Sequence, residues 1–166
     1  IIVLRFVYKL EERIKMYELI CGNIFDDKCD LIIVPCNSLG GVTGVVENEL
    51  KENNIIYVSK PINVGNVKFV DCSMNCSISH VIGFAASTNV LTLGSNKKYI
   101  KSICEEVKKY CKRNSLRLVN FPLLGTGAGR LTPKESFEII KRCFSEENEI
   151  NVKVFVMSRD VYESLS

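Results

Sequence analysis

The sequence predicts an α/β domain built around a central sheet, and three features favour this class. Leu31–Val34 is an uninterrupted apolar run, which is typical of a strand buried on both faces of a sheet. The order strand, glycine-rich loop, helix occurs twice, in residues 30–51 and 118–146. Residues 97–112 carry an apolar stripe at helical spacing, opposite Lys and Glu. We therefore expect helices packed on a buried sheet.

Composition limits the possible functions. The 166 residues are 46% hydrophobic, enough for one core, and the net charge of +3 is spread along the chain, which argues against a nucleic-acid surface. The eight cysteines lie mostly in apolar runs and are expected to be free, buried thiols of a cytoplasmic protein; those in such runs are Cys21, Cys36, Cys104, Cys111 and Cys143. With one histidine and one close cysteine pair, we predict no metal site and no cofactor.

Residues 1–16 leave two interpretations open. The apolar run Ile1–Leu4 is far too short to span a bilayer, and no signal peptide is visible. Residues 1–16 are either a first strand with its connector or the remnant of an upstream segment, such as a membrane helix with basic flanking residues. We favour the strand and treat residues 17–166 as the domain.

The first half of that domain should contain four strands and one helix. The first two strands are Tyr17–Cys21 and Leu31–Val34, and Pro35 is expected to end the second. The helix is Val45–Lys51. The further strands are Val67–Val70 and His80–Ala85. His80, the only histidine, is expected to be a hydrogen-bonded core residue, because no Ser or Cys partner motif accompanies it. Ala86–Ser95 is expected to be a polar loop that lines a crevice.

The second half should begin with a helix over residues 97–112 and a strand over Leu118–Phe121. Thr132 and Glu135 then predict a capping box, with Pro133 at the first helical position. This helix should reach about residue 146. A last strand, Val152–Val156, and a short helix capped by Asp160 complete the chain.

The two glycine-rich loops predict an anion site. Glycines let successive backbone N–H groups approach a phosphate, and a helix N-terminus adds partial positive charge. One such loop could be a simple tight connection between strand and helix that binds no ligand. Two such loops in one small domain favour a binding site. Because the carboxyl ends of parallel strands converge, both loops should border one ligand. Neither loop contains a lysine, so a phosphate group would be bound chiefly by N–H dipoles.

Five motifs, taken in order, resemble a known family. They are GNI at 22–24, DLIIVPCN at 30–37, LGGVTGVV at 39–46, HVIGFA at 80–85 and FPLLGTGAG at 121–129. Together they resemble a macro domain, over nearly the whole chain from Tyr17. The resemblance implies a three-layer α/β/α sandwich with a mixed, mostly parallel sheet and a cleft for ADP-ribose or a related NAD-derived nucleotide.

The resemblance also implies roles for individual residues. Asn23 stands where the family usually has an Asp that holds the adenine amino group, although a turn residue is an equally good interpretation. Asn37 would meet the distal ribose. Arg130 is better interpreted as a solvated side chain, despite being the only cation in either loop. The complete set of expected ligand-binding residues is Asn23, Ile24, Asn37, Gly40, Gly41, Val42, Thr43, Gly44, Gly125, Thr126, Gly127, Ala128, Gly129, Arg130, Met157 and Ser158.

Departures from the family pattern favour a binding module over an enzyme. Thr43 stands where hydrolase members often carry an acidic residue, and Thr cannot serve as that base. Ala128 and Met157 stand at positions where the family often has aromatic residues, which leaves room for a base-modified or cyclic ADP-ribose. No catalytic residue is therefore assigned. The alternative is an ADP-ribosyl hydrolase or O-acetyl-ADP-ribose deacylase, with Asn37 orienting a backbone-held water.

The expected function is a sensor or reader of an ADP-ribose-type small molecule. We expect no nucleic-acid partner and no membrane contact by the domain itself, and the oligomeric state stays open. If residues 1–16 are the end of a membrane anchor, the arrangement looks similar to effectors of the Thoeris bacterial defence system, in which a macro domain follows membrane helices and reads an NAD-derived messenger.

Overall fold

The central sheet has six strands in the order β1-β6-β5-β2-β4-β3. The computed structural model describes residues 17–166, so both interpretations of residues 1–16 lie outside the described part of the chain. The elements are β1 Tyr17–Cys21, β2 Cys29–Asn37, α1 Gly44–Glu52, β3 Val67–Asp71, β4 Ser79–Thr88, α2 Lys97–Asn114, β5 Leu118–Pro122, α3 Pro133–Phe144, β6 Asn151–Val156 and α4 Arg159–Leu165.

The sheet is mixed and mostly parallel, as expected. Only the edge strand β3, of those described, runs antiparallel to its neighbour, with Val67 opposite Ala85. The run Leu31–Val34 is completely buried in β2, which lies between β4 and β5. Leu31 and Ile33 face a core shared with α2 and α3, whereas Ile32 and Val34 face a second core with Leu50 of α1. These two cores separate the three layers of an α/β/α sandwich.

Pro35 does not end β2, contrary to the sequence-based expectation. Pairing with β4 continues through Pro35, opposite Ala85, and reaches Asn37 after an irregularity at Cys36. A proline gives up one ladder hydrogen bond, but its fixed φ is compatible with an extended strand. The ten-residue strand β4 supplies enough neighbouring pairs to hold β2 extended past this position.

Two further boundary expectations are wrong. Ser158, not Asp160, caps α4, because the Ser158 hydroxyl accepts a hydrogen bond from the backbone N–H of Val161. Asp160 lies in the first turn, where a carboxylate is also favoured by the helix dipole. Residues 86–88 belong to β4 and not to a loop. The capping box of α3, with Thr132, Pro133 and Glu135, forms as expected.

His80 is exposed, so the expectation of a core histidine is wrong. It lies near the beginning of β4, and pairing with β3 starts only one residue later, at Val81. Cys21 is likewise exposed, at the end of the edge strand β1, and Cys143 is only partly buried, whereas Cys36, Cys104 and Cys111 are buried as expected. All eight cysteines are unpaired thiols. No helix formed by residues 17–166 has the length and apolar character needed to cross a membrane.

Candidate functional site

A gap in the sheet creates the candidate site. Strands β2 and β5 pair only at Leu31 and Ile32. Beyond that point β2 continues against β4, and β5 continues against β6, with Pro122 opposite Phe155. The two neighbouring strands therefore separate toward their carboxyl ends. Each is followed by one of the glycine-rich loops, which places both loops at the mouth of the gap.

The first loop is folded around Asn37. The Asn37 side-chain oxygen accepts hydrogen bonds from the backbone N–H groups of Leu39 (3.0 Å) and Gly41 (2.9 Å). Gly40 has φ +77°, and a Cβ there would lie 2.2 Å from the backbone oxygen of Lys60. The Tyr57 hydroxyl donates to the carbonyl of Gly40. Glycine is thus required at position 40, and Asn37 holds the shape of the loop.

The second loop closes on itself. Gly125 has φ +75°, and its carbonyl accepts from the N–H of Leu131 at 2.9 Å. A Cβ at Gly129 would lie 2.4 Å from that same carbonyl oxygen. At Gly127, by contrast, a Cβ would meet nothing within 4 Å. Glycine at 125 and 129 is therefore needed for the fold of the loop, whereas Gly127 leaves open space above the loop.

Both loops border one cavity of about 570 Å³, which we call the main cleft. Most of the expected residues of the loops line it, namely Asn37, Gly41, Val42, Thr43 and the five residues Gly125–Gly129. The end of β4 and the segment after it line it as well, through Ser87, Thr88, Asn89, Val90 and Leu93. The crevice expectation for residues 86–95 is thereby confirmed, although the individual side chains were not assigned from sequence.

Seven expected residues do not line the main cleft, and four of these, Gly40, Gly44, Arg130 and Ser158, do not line the smaller cavity beside it either. Gly40 packs against Lys60, and Gly44 is the first residue of α1. Arg130 is exposed with φ +66°, in agreement with its interpretation as a solvated side chain. Ser158 is occupied as the cap of α4. Thr43 borders the cleft, but its hydroxyl caps α1 by accepting from the N–H of Val46 at 3.4 Å.

The remaining expected residues, Asn23, Ile24 and Met157, line a smaller cavity of about 150 Å³, which we call the side pocket. Pro35 lines both cavities, so the side pocket adjoins the main cleft. The Asn23 oxygen accepts from the N–H of Phe25 (3.1 Å), which is the turn interaction, and its amide nitrogen donates to Glu49 (3.1 Å). The turn interpretation of Asn23 is therefore confirmed, whereas a contact with adenine stays a prediction.

Two residues near the side pocket were missed from sequence. Glu49 lines it from α1, four residues after Val45, which lines it too. Asn120 of β5 is completely buried, and its amide nitrogen donates to the carbonyls of Ile24 and Asp27, both at 2.9 Å. Asn120 thus fastens the loop after β1 to the strand that leads into the second glycine loop. A buried Asn within an apolar strand was the available signal.

Within residues 17–166, one titratable side chain lines the main cleft, that of Cys36. The lining of the cleft in the described chain contains neither carboxylate nor histidine. Burial raises the pKa of the Cys36 thiol to about 12, so this thiol stays protonated. No cluster of three or more His, Cys, Asp or Glu side chains within residues 17–166 is arranged to hold a metal ion.

Because Cys36 is buried, the free energy of unfolding should depend on pH in the alkaline range. Since its pKa is raised to about 12 in the folded protein, against about 8.5 for an unfolded thiol, the folded state keeps a proton that the unfolded state loses. Its contribution is complete below about pH 8.5 and should decline by roughly 1 kcal/mol per pH unit above that. Urea unfolding from pH 7 to 10.5 should therefore show a steeper decline for wild type than for Cys36→Ala; parallel curves would contradict this.

A third cavity of about 1040 Å³ also touches the first loop, at Gly41 and Val42. Its other walls are α1 and residues 54–59, together with Met74 and Asn75. It does not reach the second glycine loop. The two charged residues that border it, Glu47 and Lys51, form a salt bridge with each other, with 3.3 Å between Lys51 Nζ and Glu47 Oε1. We therefore place the candidate site in the smaller main cleft, where both loops meet.

Comparisons with solved structures show the same fold in several macrodomains. The macrodomain of Mycobacterium tuberculosis DarG aligns with a TM-score of 0.71 and 13% identity, over 86% of this chain and 98% of that one. The Trypanosoma brucei macrodomain in complex with ADP-ribose gives 0.67 and 15%, over 90% and 67%. A mutant of the Oceanobacillus iheyensis macrodomain, solved with ADPR, gives 0.68 and 18%, over 90% and 89%.

A family model also matches the amino-acid sequence of this chain. The model described as Macro domain matches residues 26–140, which is well over half of the chain. The matched region contains β2, both glycine loops and most of α3. The sequence matches no curated protein at a significant level. On the family match and the shared three-layer fold, this chain belongs to the macro domain family.

Proposed function

We propose that residues 17–166 form a binding module for ADP-ribose or a related NAD-derived nucleotide. The observation that carries the proposal is the convergence of both glycine loops on the main cleft. The N-terminus of α1 follows the first loop, and that of α3 follows the second. Backbone N–H groups and helix dipoles suit a diphosphate, and a protein of similar fold, the Trypanosoma brucei macrodomain, is in complex with ADP-ribose.

We further propose that the module works as a reader or sensor and not as a hydrolase. The main cleft lacks a carboxylate among its described lining residues, and its one titratable side chain is the protonated Cys36 thiol. Gly127, where a Cβ would meet nothing within 4 Å, and the small Ala128 leave space beside the second loop, which favours a base-modified or cyclic ADP-ribose. A cytoplasmic sensor of such a messenger, as in a Thoeris-like defence system, is the most specific form of this proposal.

Calorimetric titration tests the ligand directly. We expect one-site binding of ADP-ribose, and binding of AMP at least about 10-fold weaker, a difference of about 1.4 kcal/mol, because AMP lacks the second phosphate and the distal ribose. NAD and a cyclic or base-modified ADP-ribose belong in the same series. Stronger binding of a modified form would support the messenger proposal. If no member binds, the chain has kept the fold without the site.

A turnover assay separates the reader from an enzyme. We would incubate the domain at high concentration with an ADP-ribosylated protein and with O-acetyl-ADP-ribose. The proposal expects no release of product beyond the uncatalysed rate, since no described group in the main cleft can act as a general base at neutral pH. Release that disappeared in Asn37→Ala would overturn the reader assignment in favour of a hydrolase or deacylase.

A further inference from the structure

Two cysteines from different helices meet between α2 and α3. Cys104 of α2 is completely buried, in the core that both helices share with the sheet. Cys143, in the last turn of α3, packs against the same core but is only partly buried. The Cys104 thiol donates a hydrogen bond to the Cys143 sulfur. A thiol that solvent can reach is thus in direct contact with one that solvent cannot reach.

Ion pairs between α2 and α3 lie on either side of the two thiols. Lys97 Nζ is 3.7 Å from Glu135 Oε1, where both helices begin. Lys112 Nζ is 2.9 Å from Glu147 Oε1, near the end of α2 and shortly after the end of α3. The two helices therefore run side by side in the same direction, and the contact between the sulfurs is part of their packing.

The surroundings of Cys143 favour its thiolate form. The hydrogen bond from Cys104 lowers the pKa of the Cys143 thiol, and this effect is larger than that of partial burial, which raises it. Lys108 and Lys101 lower the pKa further, whereas Glu105, 3.3 Å from the Lys108 ammonium, raises it. The same hydrogen bond, together with burial, raises the pKa of the Cys104 thiol. Because the thiolate is the nucleophilic form of cysteine, Cys143 is the reactive member of the pair.

A second pair of neighbouring cysteines lacks this difference between its members. Cys72 and Cys76 are both buried, and the Cys72 thiol donates to the carbonyl of Ser79 at 3.3 Å. Burial raises the pKa of the Cys72 thiol to about 12, so this thiol stays protonated at neutral pH. Both members are less accessible from solution than Cys143. An oxidant in solution should therefore react first between α2 and α3.

We propose that Cys143 is an oxidation site for hydroperoxides and that Cys104 is its resolving thiol. The Cys143 sulfur takes the distal oxygen of the peroxide as OH, and the O–O bond breaks. The departing oxygen receives the proton that the thiol gave up, so the products are a sulfenic acid and an alcohol, or water when the oxidant is hydrogen peroxide. The site goes beyond the proposed function, because neither cysteine lines the main cleft or the side pocket.

The second step converts the sulfenic acid into a disulfide. The Cys104 sulfur attacks the Cys143 sulfur, an S–S bond forms, and the S–O bond breaks. The hydroxyl group leaves as water with the proton of the Cys104 thiol. In total two thiols are oxidised and one peroxide is reduced by two electrons. An added dithiol such as dithiothreitol supplies the two electrons that restore both thiols.

Hydrogen peroxide, at about one equivalent per chain and neutral pH, tests the site. Wild type should lose two of its eight thiols, and mass spectrometry of alkylated peptides should locate a disulfide between Cys104 and Cys143 that dithiothreitol removes. Cys104→Ala should stop at the sulfenic acid of Cys143, which dimedone traps. Cys143→Ser should leave Cys104 reduced. The matched control is Cys21→Ser, which removes an exposed thiol at the end of β1 and should form the disulfide as wild type does.

The wild-type result decides the proposal even if a variant fails to fold, which circular dichroism would show. Oxidation that falls first on Cys21, or on Cys72 and Cys76, would overturn the assignment of Cys143. A disulfide between two chains, seen on a non-reducing gel, would overturn the role of Cys104. The same role would be lost if dimedone labelled Cys143 in wild type as fully as in Cys104→Ala.

Discussion

Gly127→Val is expected to lower the affinity for ADP-ribose by at least about 100-fold, a loss of about 2.7 kcal/mol of binding free energy. A Cβ at this position meets nothing within 4 Å, so the loop can accept a side chain. That side chain would occupy the main cleft, which Gly127 lines, and would keep a phosphate from the backbone N–H groups. The free energy of unfolding should change by less than about 1 kcal/mol, because Gly127 is exposed.

Calorimetry and urea unfolding on the same preparation check both parts of this prediction. Gly94→Val is a suitable control, because a Cβ there also meets little, with one contact at 3.8 Å, and the residue does not line the main cleft. The control should bind like wild type. Unchanged affinity in Gly127→Val would place the ligand elsewhere, and a large loss of stability would show that the second loop cannot accept a branched side chain.

Ile32→Ala should have the opposite effect, lowering stability without changing the site. Ile32 is 0% exposed in the middle of β2 and packs in the core that contains Leu50 and Phe84. Removal of its outer carbons leaves a cavity in a close-packed interior, which should cost about 2–5 kcal/mol of unfolding free energy. Affinity for ADP-ribose should stay within about twofold of the wild-type value under conditions where the variant is folded, because Ile32 lines neither the main cleft nor the side pocket.

The matched control for this change is Ile56→Ala. Ile56 is 86% exposed, so the same substitution creates no internal cavity and should change stability by less than about 0.5 kcal/mol. Urea unfolding at neutral pH gives both values from the transition midpoints and slopes. Equal stability of the two alanine variants would contradict the assignment of Ile32 to the core between the sheet and α1.

The fold was predictable because its signals are local. The apolar run of β2, the stripe on α2 and the capping box at Thr132 each depend on residues close together in sequence, and each takes the predicted form. Pro35 misled the prediction because the length of β4 decides whether β2 continues, and that information lies some fifty residues away. His80 misled it because exposure depends on where β3 pairing begins.

The candidate site could be located from sequence where glycine patterns mark it and not where distant side chains meet. Both loops and their common cleft followed from strand, loop and helix order. Glu49 received no role from sequence, since nothing in the pattern of α1 shows that Asn23, 26 positions earlier, lies beside it. Asn120 reaches the loop after β1 across 96 positions. Contacts of this range become visible only when the strand order is known.

The separation of β2 from β5 also bears on how such a domain can diverge. The glycine loops that border a cleft made where two strands part present main-chain groups, and every residue type except proline supplies the same N–H and C=O. The side chains around the cleft can therefore change in evolution, provided that Gly125 and Gly129 keep the second loop closed. This chain shares only 13–18% of its residues with the three macrodomains compared above, although the fold is common to all of them. The fold can therefore be conserved among these domains although few residues are identical.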